Sequence, residues 1–139
     1  MMQFSKAAHS PAPRQLRIPL FSMPVSAGMP SEADDYVEET LDLARLLVKR
    51  PESTFFVKVE GESMEGASIF PGDILVVDRS LSAAHGDIVI AIVDGEFTVK
   101  TLECKPNLKL VSHNRAHLTD INEPFAIWGV VLWVVHRAR

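Results

Sequence analysis

Residues 86–102 read Gly-Asp-Ile-Val-Ile-Ala-Ile-Val-Asp-Gly-Glu-Phe-Thr-Val-Lys-Thr-Leu, two apolar runs of strand length joined by Asp94-Gly95. A two-residue Asp-Gly link between β-branched runs is a strong signal for a tight hairpin, because both link residues must accept positive φ. The same entry, a glycine and an aspartate feeding an apolar run, occurs upstream as Pro71-Gly72-Asp73 before Ile74-Leu75-Val76-Val77. Outward from this hairpin, the runs Thr54–Val59, Ile74–Asp78, Asp87–Val93, Glu96–Leu102, Lys109–Ser112 and Ile127–His136 are rich in β-branched and aromatic residues and predict six strands. Only residues 34–50 have helical spacing, with Leu43, Leu46 and Leu47 on one face, Asp42 at the start and Lys49-Arg50-Pro51 at the end. A short helix near 43–49 follows, with Asp35–Leu41 extended. Strands without intervening helices predict a mainly β protein with a curled, partly closed sheet, and disfavour a doubly wound nucleotide-binding fold.

The chain has 139 residues, enough for one principal core. Its composition, 47% hydrophobic and 23% charged, is that of a globular protein, and no run approaches the roughly 18 apolar residues of a membrane-spanning helix. A single cysteine, Cys104, excludes an internal disulfide framework and a cysteine-built zinc site, and fits a reducing cytoplasmic setting. The formal charge of −4 is unevenly placed. Residues 1–28 hold Lys6, Arg14 and Arg17 and no acid, giving +3, whereas the other 111 residues hold 11 basic and 18 acidic side chains, giving −7. Such an acidic body is not expected to bind duplex DNA directly.

The basic segment, residues 1–28, is punctuated by Pro11, Pro13, Pro19 and Pro24, so it is expected to be a flexible, extended arm in front of a β-rich domain over residues 29–139. It is not expected to be a secretory leader, because prolines and a serine interrupt Ile18–Val25 and break the continuous apolar helix that export needs. The small residues Val25-Ser26-Ala27 in such an arm still form a bond that a peptidase can cut.

Phosphate-binding glycine loops are absent from the sequence. His113 and His117 have a metal-ligand separation, but Ser112–His117 reads as a polar loop and no carboxylate–histidine pair supports them, so no metal site is expected. Gly61-Glu62-Ser63-Met64-Glu65-Gly66 misses the G-x-S-x-G nucleophile elbow by one position. Ser63 nevertheless follows a strand, where a turn through Gly61 can present its hydroxyl among backbone N–H groups; the plainer reading is a turn serine. Lys100 alternates with Glu96 and Thr98 on one face of its strand, and alone reads as a solvated lysine. A buried lysine, however, loses its proton more readily and can act as general base for a serine. Moving its pKa to about 7–8 requires roughly 3–5 kcal/mol of differential desolvation, which a dry apolar pocket can supply.

Gly61-Glu62-Ser63-Met64, Pro71-Gly72-Asp73-Ile74-Leu75, Gly86–Ala91 and Gly95–Lys100 resemble, in order and spacing, the LexA/UmuD family of self-cleaving serine–lysine proteins. Ile18-Pro19-Leu20-Phe21, Ala27-Gly28, Asp35–Glu38 and Phe125–His136 extend the likeness over most of the chain. The resemblance implies a LexA/signal-peptidase-like β fold and self-cleavage at Ala27–Gly28, with Ser63 as nucleophile and Lys100 as general base. It implies no metal or other cofactor. Ala27 stands where some relatives have cysteine and LexA-type repressors have alanine, which keeps the bond cleavable. A LexA-type repressor would carry a helix-turn-helix domain of about 60–70 residues before this bond. Only 27 residues precede Gly28, so this chain is not expected to read an operator. The resemblance further implies stimulation by a RecA–single-stranded-DNA filament after DNA damage, a homodimer, and union of the shortened form with a UmuC-type translesion polymerase. Two alternatives use the same residues: a non-enzymatic interaction module, and a repressor or anti-repressor fragment of the same fold. A third, signal-peptidase-like processing of other chains, is disfavoured by the lack of an anchor. The apolar run Trp128–Val135 is the candidate dimer contact, against a plain reading as a buried core strand.

Overall fold

Asp94 and Gly95 have φ of +52° and +75°, and the strands on either side of them pair from Val93↔Glu96 to Ile88↔Thr101. The hairpin read from the sequence is therefore the organising unit of the fold. The computed structural model describes residues 3–6, 16–21, 37–114, 118–121 and 123–139. Its strands are β1 (Gln3–Lys6), β2 (Ile18–Phe21), β3 (Val37–Leu41), β4 (Thr54–Lys58), β5 (Ile74–Asp78), β6 (Ile88–Val93), β7 (Glu96–Glu103), β8 (Lys109–His113), β9 (Leu118–Ile121) and β10 (Phe125–Val135). Among the described residues one α-helix, α1 (Leu43–Leu47), lies between β3 and β4. The chain is mainly β, as the strand runs predict.

Eight strands form one antiparallel sheet in the order β1-β4-β5-β10-β6-β7-β8-β9, and β2 pairs with β3 separately. The long strand β10 joins the halves: Phe125–Val130 pair with β6, and Val130–Val135 pair with β5. Register shifts at Ile127/Gly129 and Val131/Trp133 bend it as it changes partners. Glycine is required at the first shift, because a Cβ on Gly129 would lie 2.6 Å from Val77 Cγ1.

The bend gives the sheet two apolar clusters. Val57, Val59, Met64, Ile69, Leu75, Val77, Ile90 and Val99 form one, packed against Phe97 and Trp128. Val89, Ala91, Leu102 and Leu110 form the other, packed against Ile121 and Phe125. Successive residues of β6 thus enter opposite clusters, which is why that strand is apolar throughout and does not alternate.

The repeated glycine–aspartate turns share one hydrogen-bond scheme. Phe70 N–H donates to Asp73 Oδ2 (2.9 Å), and Asp73 N–H donates back to Phe70 O (3.1 Å). Ala84 N–H donates to Asp87 Oδ2 (2.8 Å), and Asp87 N–H donates back to Ala84 O (3.0 Å). Each aspartate closes a tight turn through a glycine of positive φ, Gly72 or Gly86, and aims the chain into a core strand.

Several expectations meet a different structure. The helix stops at Leu47, two residues early, because Val48 is extended and the Arg50 side chain reaches Asp78. Its leucine face is not buried; Leu43 is exposed, and the helix is held at its start by Asp42, whose Oδ1 accepts from Arg45 N–H at 3.3 Å. The basic arm, expected to be only loosely extended, contains two paired strands among its described residues. Among the described residues β2 pairs with β3 alone, and such an edge position tolerates the missing N–H of Pro19. Leu118–Ile121, passed over in the sequence, pairs with β8 as β9.

Candidate functional site

Ser63 lies five residues beyond the end of β4, in a turn entered through Gly61 at a φ of +89°. A single 3-10 turn, Glu65–Ala67, follows in place of the long helix of a hydrolase elbow. The turn is fastened from inside. Met64, 2% exposed, anchors it in the first apolar cluster, and Glu65 N–H donates to Glu62 O at 3.2 Å. The end of β8 supports it from one side. Ser112 Oγ donates to Ser63 O at 3.0 Å, and His113 N–H points at Met64 Sδ at 3.5 Å. Gly66 lies so close to this strand that a Cβ there would meet His113 O at 2.9 Å and Asn114 O at 3.0 Å.

Lys100 arrives from the opposite direction, on β7, where it is paired with Val89 of β6. It is 6% exposed, although the strand alternation favours a solvated face. Apolar clusters lie on both faces of the sheet at β6 and β7, and this overrides the alternation. Lys100 Nζ lies 3.1 Å from Ser63 Oγ and donates to Val99 O at 3.0 Å. Burial lowers the lysine's pKa from its ordinary value of 10.5, because a charged ammonium loses hydration there and no carboxylate compensates among its hydrogen-bond partners. Ser63, in contrast, is exposed. An accessible hydroxyl thus touches an amine held in an apolar wall.

Beside Ser63 a small recess of about 50 Å³ is bordered by Val59, Gly61, Met64, Phe97, Thr98 and Val99. A larger cavity of about 320 Å³ lies elsewhere, among Arg79, Leu102, Phe125 and Trp128, and includes neither Ser63 nor Lys100.

Ala27 and Gly28 lie outside the described residues. The strands on either side of them are described and pair antiparallel, from Ile18↔Leu41 to Phe21↔Val37. His113 ends β8, and His117 lies outside the described residues. Among the described residues no cluster of three or more histidine, cysteine or acidic side chains could hold a metal, and no helix is long and apolar enough to cross a membrane. Ser112 is the residue that sequence reading missed at this site. It looked like an ordinary strand residue, and only the approach of β8 to the turn gives its hydroxyl a partner.

Residues 19–132 match the Peptidase S24-like family. Protein SamA of Salmonella typhimurium is 46% identical over 127 residues, 91% of each chain. Protein ImpA of Escherichia coli is 49% identical over 123 residues, 87% of this chain and 85% of the relative. A LexA repressor from Mycolicibacterium gilvum is 41% identical over 114 residues, 81% of this chain but 49% of the repressor. The kinship inferred from the motifs is borne out by these matches.

Proposed function

The chain belongs to the Peptidase S24-like family, and on that premise we propose that it cuts its own arm at Ala27–Gly28 with Ser63 and Lys100. The observation that carries this reading is the 3.1 Å contact between Lys100 Nζ and Ser63 Oγ, with the lysine buried and the serine open to an incoming strand.

Charged Lys100 donates to Ser63 Oγ and is inert as a base. Once Nζ has lost a proton, its lone pair faces the same oxygen and the hydrogen bond reverses. Ser63 Oγ then attacks the carbonyl carbon of Ala27 while its proton passes to Nζ. Backbone N–H groups of the turn around Ser63 hold the oxyanion, and collapse expels the amine of Gly28, which takes the proton from Nζ. Water cleaves the resulting ester with Lys100 again as base, and returns Ser63 to its starting state. Val99 O keeps Nζ aimed throughout by accepting one of its remaining protons. The small recess beside Ser63 suits alanine before the cut bond.

The relatives suggest the setting. Kinship with SamA, ImpA and LexA repressors favours a role in the SOS response to DNA damage, with a RecA–single-stranded-DNA filament promoting the cleavable position of the arm. A filament that raised the competent fraction from about 0.1% to about 10% needs only about 2.7 kcal/mol of differential binding. The shortened chain, residues 28–139, then acts as a dimer with a UmuC-type polymerase in translesion synthesis. The exposed apolar residues Leu132, Trp133, Val134 and Val135 at the end of β10 favour that stretch as the dimer contact. A reducing, cytoplasmic setting accords with Cys104 as a free thiol.

Intact mass after incubation with a RecA filament tests the proposal. Wild type should yield a fragment beginning at Gly28, and Ser63→Ala should remain whole. Cutting of Ser63→Ala at the same bond would refute the assignment.

A further inference from the structure

The catalytic reading leaves one buried polar group at the site without a task. Ser112, at the end of β8, is 7% exposed, and its hydroxyl donates to the backbone oxygen of Ser63 at 3.0 Å. A buried hydroxyl costs stability unless it is paired, and valine, threonine or alanine would fill the same strand position. The hydroxyl's partner is the main chain of Ser63 itself.

We infer that Ser112 is a positioning residue for the reaction: it fixes the main chain of Ser63, so that Oγ stays at Lys100 Nζ while the arm is attacked. The inference rests on the self-cleavage reading and adds to it a residue that touches neither substrate nor base. Three features of the geometry support it. Ser63 is exposed and follows Gly61, whose positive φ marks a sharp change of direction in the turn. On its inner side it is pinned by Met64, and on the β8 side by Ser112, with Gly66 allowing the strand's close approach. Holding the Ser63 carbonyl oxygen fixes the rigid peptide plane that begins at its Cα and so restrains ψ at Ser63, the backbone torsion that orients the Cα–Cβ bond carrying Oγ. A displacement of about 1 Å at a nucleophile can cost about a hundredfold in rate.

Threonine and valine differ here by a hydroxyl at equal shape, which separates the hydrogen bond from packing. The test follows filament-free cleavage by intact mass between pH 7 and 10 for wild type, Ser112→Thr, Ser112→Val and Ser112→Ala, with thermal unfolding of each. Ser112→Val and Ser112→Ala should lower the plateau rate about three- to tenfold, as expected for loss of one modest hydrogen bond. Ser112→Thr should stay within about threefold of wild type on the same scale. The pH midpoint should be common to all four, because the contact of Lys100 with Val99 O is untouched. Wild-type cleavage by folded Ser112→Val would overturn the inference, as would equal slowing in Ser112→Thr and Ser112→Val. A moved midpoint with an unchanged plateau would also overturn it, since Ser112 would then act through Lys100. The self-cleavage reading would survive all of these. A wild-type chain that never cuts, or a Ser63→Ala chain that does, would overturn that reading and the Ser112 role together.

Discussion

Replacing Asp78 with asparagine should flatten the acid limb of the protein's stability. Asp78 ends β5 and is 1% exposed, yet its carboxylate is fully engaged. Oδ1 accepts from Ser53 Oγ (2.8 Å), Ser80 N–H (2.9 Å) and Ser80 Oγ (2.7 Å), and Oδ2 accepts from Arg50 Nε (2.6 Å). Burial alone would raise its pKa, but the bonds from Ser80, Ser53 and Arg50 outweigh it and lower the value from 3.8 to about 2. A carboxylate with a depressed folded pKa stabilises the fold fully above its unfolded value and loses that contribution as pH falls through the folded one. The displacement corresponds to about 2 kcal/mol, present above pH 4 and withdrawn towards pH 2. Urea unfolding at half-unit steps from pH 6 to pH 2 reads this directly. Wild type should lose about 2 kcal/mol more over the lower part of that range than Asp78→Asn. At pH 7 the variant should itself be weaker by about 1–3 kcal/mol, because asparagine can keep its one oxygen for Ser53 and Ser80 but then turns its NH2 donor towards Arg50 Nε–H, which needs an acceptor. Parallel pH profiles for the two proteins would refute the reasoning.

Gly129→Ala places a Cβ 2.6 Å from Val77 Cγ1, and Val77 is fully buried, so a cost of about 1–3 kcal/mol and a visibly lower melting temperature should follow. An unchanged melting temperature would mean that β10 does not run against β5 in this register. Lys100→Met should abolish cleavage yet equal or exceed wild type in urea midpoint at pH 7, because it removes a buried ammonium. Since Lys100 has a lowered folded pKa, the unfolded chain binds more protons as its pKa is approached, and wild type should gain stability over Lys100→Met as pH rises towards 10.5.

Much of this was legible because it rests on short-range rules. The hairpin at Asp94-Gly95 and the turns at Gly72-Asp73 and Gly86-Asp87 follow from φ requirements and local hydrogen bonds, and β5 has the predicted bounds. The Ser63–Lys100 pair needed more. No periodicity shows that β7 is wrapped by core on both faces, so strand alternation alone leaves Lys100 in water, and the motif order was what connected it to Ser63. Ser112 was illegible for a related reason: its partner is 49 residues away and is a main-chain oxygen, which no residue type announces. β1 and β9 were missed because four residues are too short a run to show a strand period in the sequence.

The claim that Lys100 serves Ser63 as base is tested most directly by the filament-free cleavage rate of the full-length chain from pH 7 to 10, followed by intact mass with circular dichroism at each pH. The rate should rise about tenfold per unit until the lysine's pKa is passed and then level off. Lys100→Ala and Lys100→Arg should remain whole throughout, because neither can accept the proton from Ser63 in this range. A flat profile with the fold intact, or cutting at Ala27–Gly28 in the Lys100→Ala protein, would contradict the account.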